Sequence, residues 1–226
     1  MIAKSAAAFL FDMDGTLIDS SRAMHRIWAR WARRHGLDFA SFEPIIQGRR
    51  AVDSMRRLGV PGLDFAVEAK VIEREEIEDV EGVVPIAGAS EFLAALPAER
   101  WTVVTSAPRE LARARLGAAG LPVPESIITG EEVSAGKPAP DCFILGAERL
   151  GFETAECIVF EDSVVGVEAA IAAGADLVVI ASAQSQEPFD GRFSVDDYEQ
   201  LEVAVARDRL LLRRRVFAPR ATMVGS

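Results

Sequence analysis

The sequence predicts an α/β protein: a Rossmann-like, mostly parallel sheet with helices on both faces, plus an inserted all-helical cap domain. Three observations predict it. Short apolar runs of strand length (AFLF at 8–11, WTVV at 101–104, CIVF at 157–160, LVVI at 177–180) alternate with helical patterns, and runs of this kind without polar alternation mark strands buried on both faces. The first three end in acidic or hydroxyl side chains, the edge at which open α/β sheets place their chemistry. Between the first two lies a long helical stretch with no convincing strand. The catalytic core is therefore assigned to residues 1–19 and 82–226, and the cap to 20–81.

Length and composition agree with this division. A chain of 226 residues is long enough for one substantial core and a smaller lobe. Half of it is apolar and 27% is charged, the balance of a globular chain. The net charge of -10 argues against nucleic-acid or anionic-membrane partners, which its field would repel. The two cysteines, Cys142 and Cys157, sit in apolar segments and read as buried free thiols of a reducing compartment. No apolar run reaches spanning length and the start lacks a signal-peptide pattern, so a cytoplasmic location is expected.

In chain order, the strand within 6–11 stops at Asp12. Asp14 follows two residues later and Gly15 breaks the pattern. Residues i and i+2 of a strand share a side, so the two carboxylates can face one volume, where a cation or a shared proton must offset their repulsion. DMDG alone also fits an ordinary strand entering an Asp-Gly turn. Residues 20–35 form an amphipathic helix with Met24, Ile27, Trp28, Trp31 and Ala32 on one face, stopped by Gly36. The tryptophans are core anchors before they are cavity walls, and His25 and His35 lack metal-ligand spacing. A short element at 42–46, a helix from Ala51, a Pro61-Gly62 turn and a helix over 63–79 complete the cap. Residues 82–85 form the return hinge, paired with another at 18–20.

The core then alternates. Helices are expected over 88–96, 109–119, 141–150, 165–173 and 198–207, with strands over 101–105, 127–129, 157–160 and 177–180. Leu210 to Leu212 are expected to pack on the core and the last residues to be frayed.

Four polar clusters fall at or just beyond strand ends: Asp12/Asp14, Thr105/Ser106, Lys137 and Glu161/Asp162. Thr105 and Ser106 either cap the next helix or join free N–H groups in an anion site. Lys137, held in GKPAP, is either a surface lysine or a fixed point charge for phosphate. Glu161 and Asp162 end a buried strand directly, where carboxylates must be solvated, paired or metal-bound. Arg49, with Arg50, Arg56 and Arg57, is either a solvated face or a bidentate anion and hydroxyl ligand supplied by the cap. No GxGxxG follows the first strand and no GxxxxGK[ST] occurs, which disfavours dinucleotide and P-loop folds.

Taken together, DMDGT at 12–16, Thr105-Ser106, Lys137 and Glu161-Asp162 resemble, in order and spacing, the four motifs of the haloacid dehalogenase-like hydrolase superfamily, over roughly residues 6–185. The insert resembles that superfamily's helical cap. FDMDGTLIDS, the GRR at 48–50, VVTSAP, GKPAPDCF and VFEDSVVGVEAAIAAG are similar to its sugar-phosphate and polyol-phosphate phosphatases, of glycerol-phosphatase and deoxyglucose-phosphatase types. The dehalogenases have one aspartate where this chain has two.

The resemblance implies that Asp12 is the nucleophile, forming an aspartyl-phosphate, and Asp14 the acid and then base. It implies that Thr105, Ser106 and Lys137 hold the phosphoryl oxygens and that Arg49 reaches the substrate from the cap. Mg2+ would be bound by Asp12, a backbone oxygen at Met13 or Asp14, Asp162, and Glu161 nearby or through water; an all-oxygen donor set suits Mg2+ over Zn2+. Local positive charge from these groups would reconcile an anionic substrate with an acidic surface. The implied partner is a small phosphorylated sugar or polyol, and the implied assembly a monomer or weak homodimer. Two other activities use related cores. A β-phosphoglucomutase-type mutase carries a cap histidine where this chain has Met24, with His25 one residue off; a phosphonate hydrolase needs a cap lysine, and only Lys70 occurs. A non-catalytic binding relative is disfavoured by the intact Asp12, Asp14, Lys137 and Asp162.

Overall fold

The computed structural model describes residues 3–181 and 191–215. Its elements in chain order are β1 (Ala3–Ala6), β2 (Ala8–Phe11), β3 (Ile18–Asp19), α1 (Ser21–Arg34), α2 (Glu43–Ile46), α3 (Ala51–Leu58), α4 (Phe65–Glu78) and β4 (Val84–Pro85). They continue with α5 (Ala89–Ala94), β5 (Trp101–Val103), α6 (Arg109–Ala118), α7 (Asp141–Leu150), β6 (Cys157–Glu161), α8 (Val164–Ala172), β7 (Asp176–Ile180), β8 (Ser194–Val195), β9 (Leu201–Ala206) and β10 (Arg209–Arg214). The central sheet runs β5-β2-β6-β7-β8 and is parallel throughout.

Period-2 alternation explains its two covered faces. Phe9, Phe11, Ile158, Phe160, Val178 and Ile180 point to one side, where they meet Phe92 and Leu93 of α5 and Leu111 and Leu116 of α6. Ala8, Leu10, Cys157, Val159, Leu177 and Val179 point to the other, against Phe143 and Ala147 of α7 and Val167 and Ala170 of α8. Both cysteines are free and buried. The cap has its own core, in which Ile27, Trp28 and Trp31 of α1 meet Phe42, Met55 and Ile72. Asp64 starts α4 by accepting from the N–H groups of Ala66 and Val67, a side-chain cap for donors that have no helical partner. The chain leaves and re-enters the core side by side, because β3 and β4 pair antiparallel.

Two elements differ from the sequence expectation. Residues 198–207 are not a helix: a short 3-10 turn (Tyr198–Gln200) leads into β9, which pairs with β10 through a two-residue turn at Arg207-Asp208, with Arg207 at φ 52°. Leu201, Val203 and Val205 recur at two, and β10 supplies a neighbour that satisfies the backbone of a strand. Residues 127–129 contribute only an isolated bridge between Val104 and Ile128. Leu210 and Leu212 are buried in the large core cluster, in a second sheet of order β1-β10-β9. The expectation of a frayed end falls on 216–226, outside the described residues. Among the described residues no helix is long and apolar enough to cross a membrane.

Candidate active site

Strand order brings the distant motifs together. β2 lies between β5 and β6, with Phe11 level with Val103 on one side and Phe160 on the other. The residues just past these three positions are Asp12, the 104–106 segment and Glu161-Asp162, so one carboxyl edge gathers them. Gly15 makes the approach possible. It sits at φ +86°, and a Cβ there would stand 1.9 Å from Asp162 Oδ2, so only glycine fits both the turn and the neighbour. Gly166 does the same for Glu161, whose Oε1 would lie 1.6 Å from an added Cβ.

Lys137 is the hub of the buried part. Its ammonium lies 2.5 Å from Asp12 Oδ1 and 2.7 Å from Glu161 Oε1, with the Phe143 ring 5.0 Å away. The other Glu161 oxygen accepts from the Asp162 and Ser163 backbone N–H groups and from Ser163 Oγ. Asp162 accepts from Thr16 Oγ1 at 3.2 Å. Asp12, Glu161 and Asp162 each offer an oxygen within 4.8 Å of the others', a hard-oxygen cluster suited to a divalent cation. Burial, opposed by Lys137 and reinforced by Glu161, pushes the Asp12 carboxyl up to about 7. Burial and the charges of Glu161 and Asp12 raise Asp162 well above the usual carboxylate range. One lysine among three carboxylates leaves excess negative charge in a dry place, which protons or a cation must offset.

Asp14 does not join this cluster. Its side chain turns toward the cap, where Oδ1 accepts from Ser20 Oγ at 2.6 Å and from Arg115 Nη1 at 2.9 Å. Arg115 Nη2 stands 3.2 Å from Glu76 Oε1 on cap helix α4. Thr105 is buried, and its hydroxyl oxygen accepts from the Ala107 N–H. Ser106 Oγ donates to the carbonyl of Gly48 in the cap.

Between core and cap lies a cavity of about 80 Å3. Asp12, Asp14, Thr105 and Ser106 line it from the core; Met24, Trp28, Ile46, Gly48, Arg49, Glu73 and Glu76 line it from the cap. Arg49 thus shares the cavity with the carboxyl edge of the sheet, and burial with the nearby Arg57 lowers its pKa. Ile72 belongs to the cap core, and Glu73 next to it faces the cavity instead. Burial, with Glu76 and Glu131, raises the Glu73 carboxyl. His25 lies outside the cavity lining, paired with Glu43, and Lys70 is exposed on α4.

Sequence reasoning missed Arg115 and Glu76, and named Arg50 only beside Arg49 without its contacts to the core. Arg115 follows Leu111 by one helical turn and interrupts the buried stripe of α6 (Leu111, Ala112, Leu116). Glu76 continues the stripe Ala69, Ile72 on α4. A charge in the buried stripe of each of two helices, opposite in sign, was the available signal. Arg50 spans the domains, donating to the carbonyls of Gly130, Val133 and Ser134.

A parallel sheet in which β2, between β5 and β6, ends in a buried aspartate among a lysine and two further carboxylates, closed by a helical lid, defines a capped α/β hydrolase. The chain belongs to the haloacid dehalogenase-like hydrolases, whose family pattern matches residues 6–174. It is 42% identical over 179 residues to hexitol phosphatase A of Escherichia coli (strain K12), covering 76% of this chain and 82% of that one. It is 35% identical over 185 residues to validoxylamine A 7'-phosphate phosphatase of Streptomyces hygroscopicus subsp. limoneus, covering 79% and 87%. The crystal structure of CbbY from Rhodobacter sphaeroides matches with a TM-score of 0.75 at 22% identity, over 87% of this chain and 96% of that one, a likeness of fold. The protein is accordingly an enzyme, a hydrolase of the phosphatase kind acting on small phosphorylated metabolites.

Proposed function

We propose that the protein hydrolyses the phosphate monoester of a small sugar or polyol, with Mg2+, through an aspartyl-phosphate. The observation that carries this reading is the division of labour between two aspartates. Asp12 is buried against Lys137 at the end of β2, while Asp14, two residues on, turns into the cavity toward Ser20 and Arg115.

In the first half-reaction an Asp12 carboxylate oxygen attacks phosphorus, the bond from phosphorus to the ester oxygen breaks, and Asp14 delivers a proton to the departing alkoxide. In the second, Asp14 takes a proton from water as that water attacks phosphorus. The bond from phosphorus to Asp12 breaks and inorganic phosphate leaves. Lys137 and the Thr105 and Ser106 hydroxyls hold phosphoryl oxygens as charge redistributes, since phosphoryl transfer needs positioning and electrostatics above all. The carboxylates of Asp12 and Asp162, with the Asp14 main-chain oxygen, would hold Mg2+, and Glu161 fixes Lys137 beside them. Bound there, Mg2+ neutralises phosphoryl charge that the carboxylates would otherwise repel.

The cavity supports a neutral, hydroxyl-rich leaving group. Glu73 lines it and can accept hydrogen bonds from hydroxyls, whereas a second anionic group on the substrate would meet its carboxylate as a like charge. A hexitol phosphatase among the relatives points the same way. A mutase needs a cap group beside Asp14 to shuttle protons during isomerisation, and the position facing the cavity is Met24, with His25 directed to Glu43.

The test is a panel of phosphorylated sugars and polyols incubated with the protein and Mg2+, measuring free phosphate and isomerised sugar phosphate in parallel. Phosphate release from a polyol or sugar phosphate is expected, lost on chelation and lost in Asp12→Asn with the fold intact. Isomerisation without phosphate release, or turnover by Asp12→Asn near the parent rate, overturns the reading.

A further inference from the structure

We propose that Arg115 is a positioning residue for Asp14, and that Glu76 of the cap makes this positioning conditional on the cap being seated. The inference rests on the reading of Asp14 as acid and base. Arg115 lies on core helix α6, nearly fully buried, 101 residues from Asp14 in sequence. Its Nη1 and the Ser20 hydroxyl converge on the same Asp14 oxygen, Oδ1. No described residue donates a hydrogen bond to Oδ2, which is left for the leaving oxygen.

A purely structural arginine bridging core and cap would spend its donors on the cap. Arg115 instead directs its aligned hydrogen bond to Asp14. Its Nη2 stands at ion-pair distance from Glu76, and neither Nη2 nor Nε makes an aligned hydrogen bond. Glu76, itself buried, therefore holds the guanidinium by charge while Asp14 takes its directional contact. When α4 lifts with the cap, Arg115 loses the counter-charge that keeps it beside Asp14, and the side chain that must meet the alkoxide loses its fixed orientation. Orientation of an acid toward its proton acceptor is the part of catalysis that small displacements remove.

The experiment uses a substrate pair that differs in its need for an acid. An alkyl phosphate expels an alkoxide that must be protonated; p-nitrophenyl phosphate expels a phenolate that leaves unaided. kcat/KM reports the steps through the aspartyl-phosphate for both. Because Arg115→Met leaves Glu76 buried without its counter-charge, the Arg115→Met/Glu76→Gln double variant is measured beside it, with Arg115→Lys as the conservative replacement.

Expected are a loss of about 10- to 100-fold on the alkyl phosphate, at or below the low end of what acid catalysis contributes because the acid is misoriented and not removed, and under about threefold on p-nitrophenyl phosphate. Arg115→Lys should recover part of the alkyl loss. Equal losses on both substrates, or full alkyl activity in the double variant, overturn the positioning role. Asp14→Asn separates this inference from the one beneath it. Leaving-group discrimination there but not in the Arg115 variants overturns the positioning role alone, and its absence from both overturns the acid and base reading.

Discussion

Asp12 sits at the end of a strand with no exposed surface on its neighbours Phe11 and Met13, and its carboxyl rises to about 7 from 3.8 because burial outweighs the attraction of Lys137. A carboxyl raised in the fold binds its proton more tightly there than in the unfolded chain. Its contribution to stability is thus fully present below the unfolded value and is lost as pH rises through about 7. Asn at this position imitates the protonated form. Metal-free Asp12→Asn should therefore gain stability relative to the parent as pH rises, with its melting temperature above the parent's at about pH 8 and the difference shrinking toward about pH 5. A cation replaces the proton as the offset to crowded carboxylates, so the melting temperature of the parent should rise more with Mg2+ at the higher pH. A Mg2+ shift that is larger at the lower pH would contradict the assignment of Asp12 and Asp162 as its ligands.

Among elements, the contacts that decide whether the site is assembled run between the cap loop and the core. Arg50 donates to the carbonyls of Gly130, Val133 and Ser134 at 3.1 to 3.4 Å, and Ser106 donates to Gly48. The Arg50 hydrogen bonds are long and only partly buried, so Arg50→Ala should weaken cap seating by about 1–2 kcal/mol, a factor of roughly 5–30 in the closed population. The measurable outcome is faster hydrogen exchange around residues 46–50 and 130–134, with lower kcat/KM and an unchanged core; unaltered exchange in these segments would show that Arg50 does not hold the loop. In the proposed mechanism Ser106 gives its proton to a phosphoryl oxygen and so releases Gly48, which would tie this loop to substrate entry. Such cross-domain contacts were the least legible part of the sequence. Strands β2, β5, β6 and β7 could be read directly because burial on both faces leaves an apolar run, and the carboxyl-edge rule then grouped Asp12, Thr105 and Glu161. Arg115 and Glu76 each put a charge in a buried helical stripe, but the pairing that gives those charges their meaning exists only when α6 and α4 face one another. The misread segment at 198–207 has the same cause: Ala204 and Ala206 suit a helix locally, and only pairing with β10 makes the strand the better state.

For the whole molecule, an acidic chain must admit an anion. The net charge is -10, and the cavity lining itself carries Asp12, Asp14, Glu73 and Glu76 against Arg49 and Arg115. In the proposed mechanism the groups that attract phosphate act at short range: Lys137 is buried and the cation would be held beneath the cap. Salt screens exposed charges beyond a Debye length, about 8 Å at physiological ionic strength, and buried pairs much less. The long-range repulsion should then fade with salt while the attraction at the site persists. Accordingly kcat/KM for a phosphorylated polyol, measured at saturating Mg2+, should rise by roughly two- to threefold between about 0.01 M and 0.15 M NaCl, with kcat constant. A fall over the same range would mean that the cavity mouth is locally positive. Arg49 and Arg57 are the groups placed to make it so, and Arg57→Gln, on the exposed side of α3, would then remove the salt dependence without touching the reacting edge.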